Sequence, residues 1–180
     1  AFLTEFGKNK NTASIVLELA ELEALYINDL DKAIELLVEL IDFPGVQHQL
    51  QAKGKIALAD YYLMEGERWE ATLLYSQVDK AYEDDVLGQL ARFKNAKLSY
   101  YMGDFEWAQA QFSILKASTS KLIANDALDL SVFIMDNLGL DTTSAPMYMY
   151  AKADLLAFQN QFEEAFALLD DIRKQFPKHS

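Results

Sequence analysis

The 180-residue chain has no cysteine, which excludes disulfides, thiolate metal sites and thiol catalysis. It has only three prolines and seven glycines. So few helix breakers, beside abundant alanine, leucine and glutamate, point to an all-helical chain. The two histidines, His48 and His179, stand far apart and outside any ligand-spaced cluster, so no metal site is assigned. No run of about 18 apolar residues occurs, so no segment is suited to cross a bilayer as a helix. There is no basic start followed by an apolar stretch, as a secretory signal would have. Basic residues are in deficit: 16 Lys and Arg stand against 28 Asp and Glu, a formal net charge of −12. That charge repels nucleic-acid phosphates and anionic lipid surfaces and argues against both as partners. Gly-rich phosphate loops and nucleophile motifs are missing too, so nothing points to an enzyme or to a cofactor.

What the chain does have is a recurring phrase. Gly66-Glu67-Arg68-Trp69-Glu70-Ala71 is echoed by Gly103-Asp104-Phe105-Glu106-Trp107-Ala108, with looser copies at Asn28–Ala33 and Asn160–Ala165. Each copy is a turn residue, a polar residue, a large apolar residue and then alanine. A bulky residue follows each alanine by four: Leu37, Tyr75, Phe112 and Leu169. Ala33, Ala71, Ala108 and Ala165 are separated by steps of 38, 37 and 57 residues. A repeat of this length built from helix–turn–helix units implies a solenoid.

Apolar spacing at three and four residues places the helices. The first carries Ile15, Leu19, Leu22 and Tyr26 and is broken at Asn28-Asp29. The second covers about 30–41, with Ala33, Leu36, Leu37 and Leu40 on one side, and Pro44-Gly45 stops it. Further helices are expected over about 46–65, 69–82, 83–102 and 105–117, with acidic Glu83-Asp84-Asp85 suiting the positive end of a helix dipole. An additional helix at about 121–138 fills the long step. Two more follow at about 145–159 and 162–176, with Gly139 and Asp141-Thr142-Thr143-Ser144 as capping candidates between them and the additional helix. The chain is read as one domain of about nine antiparallel helices, paired over about 12–42, 46–82, 84–117 and 145–176. Phe2, Leu3 and Phe6 read as the tail of a preceding helix, and a start at Ala1 reads as a fragment or a processed chain.

With these residues in view, the chain resembles the tetratricopeptide repeat, a 34-residue helix pair with the pattern W-x2-L-G-x2-Y, A-x3-F and P. The Ala-x3-bulky signature is met four times. The small residue expected twelve positions before that alanine is Ala59, Ala96 or Ala153, but Glu21 in the first copy. A closing proline is present as Pro44 and Pro177 and missing from the two middle copies, the opening tryptophan is absent, and the spacing exceeds 34. Residues 95–130 are also similar to multi-repeat proteins of Bacteroidota. These resemblances imply a right-handed α-α superhelix and the C-terminal part of a larger, exported protein. They favour the periplasm or cell envelope, with the cytoplasm as the alternative.

In such a fold the first helix of each pair lines the concave groove. That resemblance assigns Phe93, Lys94, Lys97, Tyr100 and Tyr101 to the groove, with Lys53, Asp60, Leu63 and Met64 as neighbours from the preceding repeat. Cations among aromatics suit an acidic peptide or a terminal carboxylate. The competing reading is internal, with Lys94 and Lys97 answering Asp60 or the acidic turn at 83–85. Trp69 and Trp107 are read as packing against a neighbouring helix, and so is the Met147-Tyr148-Met149-Tyr150 run. Gly66, Ala71, Gly103, Ala108, Ala33 and Ala165 are read as structural. The leading function is a non-enzymatic scaffold holding a peptide or partner segment. The alternatives are a capping or self-associating segment of a longer solenoid and, third, a solute-binding or hydrolytic domain.

Overall fold

The computed structural model describes residues 7, 9–138 and 143–177. Among them the chain is all-α, with nine helices and no strand: α1 (Ala13–Leu22), α2 (Leu30–Asp42), α3 (His48–Glu65), α4 (Arg68–Ala81), α5 (Val86–Tyr101), α6 (Phe105–Leu115), α7 (Lys121–Leu138), α8 (Ala145–Phe158) and α9 (Phe162–Gln175). No helix among the described residues is long and apolar enough to cross a membrane. Phe2, Leu3, Phe6, Gly139, Asp141, Thr142 and His179 lie outside the described residues.

The four recurring phrases form four turns of one design. Asn28, Gly66, Gly103 and Asn160 all take left-handed backbone, at φ 63°, 93°, 80° and 60°. Glycine enters that region freely and asparagine at modest cost, which is why these residue types stand there. The next residue then donates its N–H five positions back: Glu67 to Tyr62 at 2.8 Å, Asp104 to Ser99 at 2.9 Å and Gln161 to Leu156 at 2.8 Å. This bond satisfies a carbonyl that the helix end would leave orphaned. The same residue caps the following helix, and its carbonyl accepts from the alanine four positions on: Ala33 at 3.1 Å, Ala71 at 3.2 Å, Ala108 at 3.0 Å and Ala165 at 3.0 Å. All four alanines are buried, where a short side chain lets the paired helices approach.

The first copy carries one extra residue. After α1 the chain passes through a π-helical turn, Glu23–Ile27, and Asp29 donates to Glu23, six positions back, at 2.9 Å. A wider turn absorbs a single insertion without breaking the helix. The insertion corrects the sequence alignment. The small residue facing α2 is Ala20, fully buried, and Glu21 is exposed. Ala59, Ala96 and Ala153 hold the equivalent buried places in the other copies.

The chain divides into two compact units, Ala1–Glu83 and Asp84–Ser180. In the first, α1 packs on α2, α2 on α3 and α3 on α4, and α1 also meets α3. Gly54 permits the α2–α3 approach, since a Cβ there would stand 2.7 Å from Leu40 Cδ2. In the second unit α5 pairs with α6, and α8 pairs with α9. The additional helix α7 lies on α6 and α5, and α8 also packs on α5. Asp85 caps α5 by accepting from Leu87 N–H at 2.8 Å, so the acidic residues occupy the turn and the helix proper begins at Val86. Thr143 Oγ1 accepts from Ala145 N–H at 3.2 Å at the start of α8.

Candidate functional site

Helix α5 buries Ala91 and Ala96 and carries the cation–aromatic run on its C-terminal half. Tyr100 is fully buried, its ring 5.7 Å from Tyr101 and 5.9 Å from Phe105. Tyr101 is buried as well, 6.2 Å from Phe158 at the end of α8. The structure therefore places both tyrosines in packing and not on an open groove wall. Their rings find apolar partners on α6 and α8, and burial of that area outweighs exposure to water. Burial pushes the Tyr100 phenol well above its ordinary range, with Asp154 and Tyr150 adding to the effect. Its hydroxyl has no hydrogen-bond partner among the described residues.

Lys97 stands over this packed layer. Its Nζ lies 5.2 Å from the centre of the Tyr101 ring and 3.8 Å from the Asp154 carboxylate of α8. The ring's negative face and the carboxylate both favour the ammonium. This internal partner differs from the two the sequence offered, Asp60 and the acidic turn. Phe93 is half-buried with its ring 5.7 Å from Phe112, and Lys94 is half-buried on the same helix. The structure thus brings Lys97, Tyr100 and Tyr101 together and sets Phe93 beside α6.

Asp60 and Met64 belong to the first unit. Asp60 accepts from the Tyr75 hydroxyl at 2.5 Å, which ties α3 to α4. Met64 and Leu63 are buried, and Lys53 is exposed. Beside Asp60, loss of water pushes the Tyr61 phenol up to about 12, and Glu21 and Asp60 add to the shift. At the α3 end, desolvation with Asp31 and Glu67 raises the Glu65 carboxyl above the usual range.

The tryptophans are corrected outright. Trp69 is 71% exposed and Trp107 is 54% exposed, so neither is core. Trp69 is two residues before the buried Ala71, about 200° around the helix, and points away from α3. The Arg68 guanidinium lies 5.3 Å from its ring centre. The Met147–Tyr150 run is buried only in part. Met147 is buried, while Tyr148 is 49% and Tyr150 42% exposed, their rings tilted against Phe105 at 4.9 Å and Phe133 at 5.0 Å. His48 is exposed, its Nδ1 3.3 Å from Gln51 Oε1. Among the described residues no three His, Cys, Asp or Glu side chains gather as metal ligands would.

One feature had no signal in the sequence. A cavity of about 350 Å³ opens in the first unit, lined by Ala13, Val16, Leu40, Phe43, Pro44 and Val46, with Asn9, Glu39 and Asp42. It sits at the low end of the size range for small-molecule sites. In comparison with known proteins, no family model, no curated protein and no solved structure matches this chain.

Proposed function

We propose that this chain is a non-enzymatic protein-interaction scaffold, a solenoid of tetratricopeptide-like hairpins that holds a peptide or partner segment. The supporting observation is the fourfold turn: a left-handed Asn or Gly, and a buried alanine whose N–H bonds the carbonyl of the residue four before it, in all four copies. Stacked copies of one hairpin build extended surfaces whose loops and faces can vary without disturbing the core. Phe93, Lys94 and Lys97 form the contact patch, and buried Tyr100 and Tyr101 are the floor that holds Lys97 in place. In a chain of net charge −12, a cation patch of this kind suits an acidic peptide or a C-terminal carboxylate.

The test is affinity capture from the source organism's extract, with the wild type and a Lys94→Glu/Lys97→Glu variant as bait. A partner held by the wild type and lost by the variant, at unchanged melting temperature, supports the scaffold and its patch. Equal capture by both removes the patch assignment. Because Lys97 pairs with Asp154, a Lys97→Gln control separates lost contact from lost packing.

A second reading, a capping or self-associating segment, is favoured by one observation: α9 carries two large exposed aromatics, Phe162 and Phe166.

A further inference from the structure

Counting from the left-handed turn residue, the second, sixth and ninth positions of each hairpin's second helix form one stripe. In α6 the stripe is Phe105, Gln109 and Phe112, and it is covered. Phe105 is buried with its ring 4.9 Å from that of Tyr148, the Gln109 amide donates to Ser131 Oγ of α7 at 3.0 Å, and Phe112 is fully buried. In α2 it is Leu30, Ile34 and Leu37, half-buried or fully buried, on a helix that packs against α3. In α9 it is Phe162, Phe166 and Leu169. There Phe162 is 51% exposed and Phe166 is 63% exposed. Two aromatics one turn apart on an open face mark a surface that gains from being covered.

The charges of α9 indicate what covers it. Glu163 and Glu164 occupy its first turn, and Arg173 and Lys174 its last. A second α9 laid antiparallel sets the acidic end of each helix against the basic end of the other. A parallel arrangement would set like against like. Arg173 and Lys174 lie 3.7 Å from Asp170 and Asp171 of their own helix, in exposed pairs that are worth little and exchange readily. We propose that α9 pairs antiparallel with α9 of a second copy, with Phe166 and Leu169 beside the two-fold axis, Phe162 flanking them at each end and Glu163 of one copy facing Arg173 of the other. A two-fold contact of this kind closes on itself and stops at the dimer. One helix pair buries less than a standard interface, so the association is weak and concentration-dependent.

Sedimentation equilibrium of the full chain at physiological salt, over about 5 to 500 μM, tests this. The mass should rise from 20.4 kDa to twice that value and no further. Phe166→Glu should hold it at the monomer with unchanged helical circular dichroism. Glu163→Arg and Arg173→Glu should each weaken the dimer, and the double swap should restore it. A monomer at every concentration overturns the proposal. So does a dimer indifferent to Phe166→Glu, a double swap no better than its singles, or growth beyond two copies. The Lys94→Glu/Lys97→Glu variant should dimerise as the wild type does, so failure here and failure of the partner patch are distinguishable.

Discussion

Gly66 and Gly103 close two hairpins with the same backbone, φ 93° at one and 80° at the other, and the same five-back hydrogen bond after each. Their surroundings differ. A Cβ on Gly66 would meet nothing within 4 Å, whereas one on Gly103 would overlap the Tyr148 ring. Gly66 is held by the left-handed backbone alone, a demand that asparagine meets at positions 28 and 160. Gly103 is held by the backbone and again by α8, which lands on that turn. The repeated phrase dictates each turn, and the helices added around it decide how much change the turn tolerates.

The largest effect that can break this contrast is Gly103→Ala. Left-handed alanine costs roughly 1–2 kcal/mol, and displacing the half-exposed Tyr148 ring from the turn adds about 1–3 kcal/mol. Urea denaturation should therefore show a loss of about 3 kcal/mol or more. Gln109→Ala comes next. It leaves the fully buried Ser131 hydroxyl without its donor, at a cost of about 1–2 kcal/mol by the same assay. Gly66→Ala should cost only the backbone share, roughly 1–2 kcal/mol. An effect confined to alkaline pH, and absent at neutral pH, belongs to Tyr61. The folded chain holds its phenol proton to about 12, and the unfolded chain releases it near 10.0. Above pH 10 the unfolded state binds fewer protons, so stability falls from there to pH 12 and is insensitive to this group below. Urea midpoints compared at moderately and strongly alkaline pH should fall less in Tyr61→Phe than in the wild type. The smallest effect is Asp154→Asn, about 0–1 kcal/mol, because the Lys97 pair is partly exposed.

Much of this was legible before any coordinates. Helix positions followed from apolar spacing and the turn residues, and all four left-handed turns stand at the repeated Asn or Gly. The extra residue before Asn28 was not legible. A single insertion absorbed by a π turn leaves no local signature, and it made Glu21 look like a departure when Ala20 fills the place. The exposure of Trp69 and Trp107 was legible in principle. Residues one or two positions from an alanine buried at the helix contact cannot share its face. Their size suggests core, and the helical angle decides against it. The fate of Tyr100, Tyr101 and Lys97 could not be read. It depends on α8, whose Asp154 and Phe158 come more than fifty residues later, and helical periodicity carries no information about which distant helix returns.

The measurement closest to the central claim is a double-mutant cycle of Gly103→Ala with Tyr148→Ala, followed by urea denaturation beside Gly66→Ala. If one turn design serves both hairpins and α8 makes the difference, removing the Tyr148 ring brings the cost of Gly103→Ala down to that of Gly66→Ala, with a coupling of about 1–3 kcal/mol. Additive losses at Gly103 and Tyr148, or equal costs for the two glycines with the ring in place, would contradict it.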